Sequence, residues 1–136
     1  MNFPFFHHQA LAFPGKAPQI FAAFALAASL LAPAATIAQQ ANGERLFFQR
    51  CGACHTIETG RNRAGPHLSN VIGRTAGNVE GARYSEALRN SGIVWDSGSL
   101  DTFLAAPRRT IPGTTMVVSV PNAAQRAAII TFLESR

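Results

Sequence analysis

The chain has 136 residues, 12 basic and 7 acidic side chains, and a formal net charge of +5. That length fits a single domain, and the charge favours acidic partners or an anionic surface over basic ones. The basic residues form neither a run nor a stripe interleaved with aromatics, which argues against a nucleic-acid partner.

Residues 1–38 differ in kind from the rest. Lys16 is the only charged side chain before Glu44, and an apolar stretch runs from Ile20 to Ala32. Small residues follow, ending in Thr36-Ile37-Ala38 before Gln39. A lone positive charge, an apolar segment of this length and a small-residue end make a secretory signal, cut after Ala38. The alternative is an uncleaved membrane anchor, because the uncharged stretch from Ile20 to Ala38 is just long enough to span a bilayer if Pro33 is tolerated. The reading divides the chain into a signal at 1–38 and one exported domain at 39–136. The exported part carries no lysine, and 11 arginines against 7 acids leave it at +4. A domain of about a hundred residues buries only roughly 60–70% of its unfolded surface, so a large apolar cofactor in its core would help it.

The spacing predicts a first helix from about Asn42 to Cys51. Asn42 is the expected N-cap, Glu44 suits the first turn, and Gly43, Leu46, Phe47 and Cys51 share a face. Residues 56–81 read as loop, with Gly65-Pro66 and Gly77-Asn78 among their breaks. A short helix is expected at Ser85–Asn90, stopped by Gly92. Another is expected from about Ser97 to Ala105, with Leu100, Phe103 and Leu104 on one side and Pro107 as its end. The last helix starts at Asn122, where Gln125 three residues on suggests a reciprocal capping box, and carries Ile129, Ile130, Phe132 and Leu133. Gly43 and Phe47 are expected to meet Ile129 and Phe132, the glycine allowing close approach. No alternation is long enough to name a strand.

The residues that carry chemistry are Cys51-Gly52-Ala53-Cys54-His55. In an exported chain, Cys-x-x-Cys-His is the signature of covalent haem attachment. Each thiol adds to one vinyl group, two intervening residues let both reach one edge of the porphyrin, and the next histidine supplies the proximal iron ligand. A thioredoxin-like dithiol belongs near a βαβ pattern, which is missing here. A structural zinc site needs about four ligands, and Cys51, Cys54, His55 and His67 are poorly spaced for one. A Cys51–Cys54 disulfide would close a tiny, strained loop. For the sixth ligand only His67 and Met116 remain. His67 lies a dozen residues after His55, beside Gly65-Pro66, and is badly placed to cross to the other haem face. Met116 is the only methionine after Met1 and sits in the Ile111-Pro112-Gly113 loop, so it is the expected ligand. A haem closed by histidine and methionine leaves no open site, which points to electron transfer rather than oxygen or peroxide chemistry.

The order of motifs resembles class I cytochrome c, in its short mitochondrial-like branch. The resemblance runs from about Asn42 to Arg136 and rests on Gly43-x-x-x-Phe47, Cys51-x-x-Cys54-His55, Gly65-Pro66-His67-Leu68, Gly73-Arg74-x-x-Gly77, Tyr84-Ser85, Trp95 and Pro112-Gly113-Thr114-x-Met116, followed by the last helix. It implies an all-α fold of about four short helices and long loops wrapping one covalent haem c. It also implies that the Pro66 carbonyl accepts a hydrogen bond from His55 Nδ1, that Arg74, Tyr84 and Trp95 hold a buried haem propionate, and that Thr114 lines the same side. Arg45, Arg50, Arg108 and Arg109 fall where the family has its basic docking ring. The implied protein is a monomeric carrier in the periplasm, not an enzyme, passing single electrons between redox proteins with acidic docking patches. Three positions depart from the pattern. Phe103 stands in place of a tyrosine and Leu88 in place of an asparagine, which thins the polar network beside Met116. Val118 stands where a phenylalanine often covers the haem edge. A labile Met116 would instead suit a haem peroxidase or gas-binding protein, and a retained N-terminal segment would suit a fixed subunit of a membrane or dehydrogenase complex.

Overall fold

The computed structural model describes residues 32–136. Among these residues five helices account for the regular structure: α1 (Ala32–Arg50), α2 (Glu86–Arg89), α3 (Ser97–Ala105), α4 (Pro107–Thr110) and α5 (Ala123–Glu134). Among the described residues there is no strand; a single antiparallel bridge joins Thr75 to Val94. Residues 1–31 of the signal expected at 1–38 lie outside the described residues, and 32–38 form the first turns of α1.

Helix α1 begins ten residues before the expected start. Asn42 therefore sits inside the helix and caps nothing; its Oδ1 accepts a hydrogen bond from Arg45 Nη2 at 2.8 Å. The preceding tract is rich in alanine, the residue with the highest helix propensity, so the helix has no cause to stop at Asn42. At its other end the backbone keeps winding. Cys51 N–H donates to the Phe47 carbonyl at 2.7 Å, and the N–H groups of Cys54 and His55 both reach the Cys51 carbonyl, at 3.0 and 2.9 Å. The Cys-x-x-Cys-His segment is thus a tight turn grown from the end of α1.

Helix α1 meets α5 where the first glycine lies. A Cβ on Gly43 would fall 2.2 Å from the Ala128 carbonyl oxygen and 2.9 Å from Phe132 Cβ. Phe47 and Phe132, both fully buried, pack with tilted rings, their centroids 5.4 Å apart. The glycine's partner beside Phe132 is Ala128 rather than the expected Ile129, which is itself fully buried.

Helix α3 is capped by Asp96, whose side chain accepts from Ser99 N–H while Ser99 Oγ accepts from Asp96 N–H, a reciprocal box. The break at Pro107 is also a start: the proline opens the short α4, where its missing N–H costs nothing. Asn122 caps α5 by accepting from Gln125 N–H at 3.0 Å, and the bond is one-way. Helices α3 and α5 are bound by an ion pair, Arg126 Nε to Asp101 Oδ1 at 2.7 Å; the buried guanidinium also donates to the carbonyls of Val120 and Pro121. Trp95 and Phe103 pack with tilted rings, their centroids 5.1 Å apart.

Candidate haem-binding cavity

These elements enclose a cavity of about 350 Å³. Cys51, Cys54, His55, Pro66, Arg74, Tyr84, Trp95, Thr114 and Met116, the nine residues singled out from sequence, all stand in its wall. The rest of the wall is largely aliphatic or aromatic, with Leu68, Val71, Leu100, Leu104, Val120, Ile129 and Leu133 among it. His67 lies outside the wall, and its Nδ1 is 2.8 Å from Ser69 Oγ.

The His55 ring is fixed from one side. Its Nδ1 donates to the Pro66 carbonyl at 2.8 Å, which leaves Nε2 as the nitrogen free to act as a ligand. Burial lowers the pKa of this histidine, and the Pro66 bond opposes that shift only in part, so the ring is held neutral with its lone pair available. A partner on the second nitrogen of a ligating histidine orients the ring and raises its basicity.

One short segment builds this side of the site. Gly65 N–H donates to the Cys54 carbonyl and Arg63 N–H to the Gly65 carbonyl, both at 2.9 Å. The Arg63 guanidinium donates to the Gly52 carbonyl, inside the cysteine turn. A methyl on Gly65 would lie 2.5 Å from His55 Cε1, so only glycine lets the loop pass behind the ring. Arg63 and Gly65 acquire these roles from the tertiary packing; a Gly-Pro pair marks only a turn.

The two cysteines differ. Cys51 is buried, and burial pushes its thiol up to about 11, against a lowering by Arg50 and a small further rise from Cys54. Cys54 is exposed.

Met116 is half-buried, and its N–H donates to the hydroxyl of the buried Thr114 at 3.3 Å. Phe103, Leu88 and Val118, the three departures noted above, all line the same cavity. Arg74 is half-buried, and burial lowers its pKa. Its Nη1 donates to the Ser69 carbonyl at 3.0 Å and its Nη2 to the His67 carbonyl at 2.9 Å. Burial raises the pKa of the neighbouring Tyr84, keeping its phenol a donor. Arg50 and Arg83 complete the wall's charged groups, and among the described residues no carboxylate lines it. Arg83 was not evident from sequence, where no motif singles it out.

The donor set fits haem c: two thiols and an imidazole on one tight turn, a thioether, apolar walls for a flat macrocycle, and guanidinium and phenol donors for its carboxylates. An all-helical shell around such a cavity is the build of a c-type haem protein. Comparison with known proteins agrees. Residues 40–136 match the family model described as cytochrome c. Cytochrome c-type cyt cy of Rhodobacter capsulatus is 42% identical over 104 residues, covering 76% of this chain and 52% of that protein. Cytochrome c2 iso-2 of Magnetospirillum fulvum is 43% identical over 89 residues, covering 65% of this chain and 93% of that protein. Among solved structures, cytochrome cH from Methylobacterium extorquens superposes with a TM-score of 0.66 at 37% identity, covering 71% of this chain and 98% of that one. The chain belongs to the cytochrome c family, in its class I, whose members carry one covalently bound haem c as monohaem electron carriers. It spans about half the length of the Rhodobacter relative.

Proposed function

We propose that this protein is a monomeric periplasmic electron carrier, and not an enzyme, with its haem iron held by His55 and Met116. Cys51 and Cys54 form the two thioether bonds. Pro66 orients His55, while Arg74, Tyr84, Trp95 and Thr114 hold the propionate side. Bound haem supplies a reversible one-electron couple, and the thioether ligand favours the reduced state. The observation that carries the reading is the His55–Pro66 bond: it commits Nδ1 and leaves Nε2 for a cavity that Met116 also lines.

With His55 and Met116 both holding the iron, the site would leave small molecules no ready access to it. The exposed Arg45, Arg50, Arg108 and Arg109 favour redox partners with acidic docking surfaces, acting chiefly on the association rate. Residues 1–38 act as a signal removed on export. Among the described residues no helix is long and apolar enough to cross a membrane.

Met116→Ala tests the ligand set. Covalent haem is retained, and the methionine-to-ferric charge-transfer band is lost. An unchanged spectrum overturns the assignment. A native ferric protein that is high-spin and binds azide or cyanide rapidly would favour the peroxidase or gas-binding alternative. N-terminal sequencing of the exported protein tests cleavage after Ala38.

A further inference from the structure

A haem c presents two carboxylates, and the residues read above as its propionate donors serve one of them. Arg74, the cation of that group, has Nη1 and Nη2 already turned to the carbonyls of Ser69 and His67. Two of its five N–H groups are therefore committed to the backbone. The other ionisable groups in the wall, besides the cysteines, are Arg50, His55, Arg83 and Tyr84. With no carboxylate lining the cavity, the wall offers an excess of positive charge that the protein itself leaves unneutralised.

Arg50 and Arg83 are both exposed at the cavity, and among the described residues neither guanidinium is held by a hydrogen bond or an ion pair. Their neighbours in the chain differ. On a porphyrin of this type the vinyl positions and the propionates lie on opposite sides of the ring. Arg50 adjoins Cys51, one of the two attachment points. Arg83 adjoins Tyr84, one of the propionate donors. Arg83 also has acids close in sequence, Glu80 and Glu86, yet pairs with neither.

We infer that Arg83 is the cation for the second haem propionate, a role separate from the Arg74–Tyr84–Trp95 group. It rests on the reading of this cavity as the haem site. Arg83 would make a charge-assisted contact at the rim, open to water and therefore weakened by salt. Two effects follow. A positive charge near the iron disfavours the oxidised, more positive state and so raises the midpoint potential. A cation beside a carboxylate lowers that carboxylate's pKa.

The test is Arg83→Gln in the full-length, haem-loaded protein, with Arg83→Lys and Arg50→Gln made alongside, each titrated for midpoint potential against pH at low and high salt. In Arg83→Gln the potential falls, and the propionate inflection moves up by about one pH unit, the low end for a contacting opposite charge. Arg83→Lys restores most of both, and high salt shrinks the differences. An Arg83→Gln protein with the native potential and inflection overturns the inference. So does an equal shift in Arg50→Gln, which would mean a general field rather than a contact. A native protein with no pyridine haemochrome signal would refute the haem reading itself, a failure visible before any Arg83 comparison is made.

Discussion

Gly65 passes behind the His55 ring so closely that a methyl group there would lie 2.5 Å from Cε1 and 2.9 Å from Nδ1. The loop cannot easily retreat, because Gly65 is tied at its N–H to Cys54 and at its carbonyl to Arg63. The ring must therefore give way in Gly65→Ala, lengthening the 2.8 Å bond to Pro66. We expect a loss of about 1–3 kcal/mol, as for overpacking in a well-filled core. Covalent haem is kept, and the visible spectrum shifts with the displaced imidazole. Denaturant titration and a spectrum on the same sample check this, and native values in both would contradict it.

Gly43→Ala should also destabilise, against the ordinary trend. In an open helix that change gains about 1 kcal/mol. Here the added methyl would meet a backbone carbonyl at 2.2 Å, an obstacle no rotamer change relieves. The expected net cost is about 1–3 kcal/mol, seen as a lower melting temperature. A higher one would show that α1 and α5 do not cross at this point.

The Arg126–Asp101 pair is asymmetric: the arginine side chain is 11% exposed and the aspartate 46%. Arg126→Met strands the carbonyls of Val120 and Pro121 as well as the acid, and should cost about 3 kcal/mol, the low end for breaking a buried pair. Asp101→Asn leaves the arginine its two carbonyls and an amide oxygen, but removes its counter-charge, and should cost less, about 1–2 kcal/mol. Equal losses in the two variants, by chemical denaturation, would disprove this division.

Asp96 predicts a pH effect. Hydrogen bonds from Ser99 hold its carboxyl below the usual 3.8. A depressed folded-state pKa contributes stability that is present above the unfolded value and lost as pH falls through the folded one. The contribution should therefore be complete at neutral pH and fade below about 3.8. Asp96→Asn, which still caps α3, should flatten this part of the acid limb. An acid limb identical to that of the native protein would show that the cap does not sense protonation.

The parts of the site legible in sequence were those whose chemistry demands fixed spacing. Cys51, Cys54 and His55 must be close in sequence to meet one macrocycle, and Met116 stands out because the chain has no other methionine after Met1. Roles that arise from packing are not legible there: Arg63 ties its loop to the Gly52 carbonyl, Gly65 leaves room for the His55 ring, and Arg83 joins the cavity wall only in the folded chain. The helix boundaries show the same split. Pro107 forbids the continuation of α3 and equally favours the first position of a new helix, so a stop was visible and α4 was not. Asn42 resembles a cap wherever it occurs, but the alanine-rich tract before it keeps α1 helical. Asp96 was overlooked because its reciprocal partner is Ser99 rather than the glutamate or glutamine that marks such boxes.

The crossing of α1 and α5 has a consequence for the integrity of the molecule. Gly43 against Ala128 and Phe47 against Phe132 join residues from the two ends of the domain without help from the chain between them. A single proteolytic nick in the exposed turn at Thr59–Gly60 would therefore leave two fragments that stay associated. They would come apart only in denaturant, and two such fragments prepared separately should reassemble on mixing.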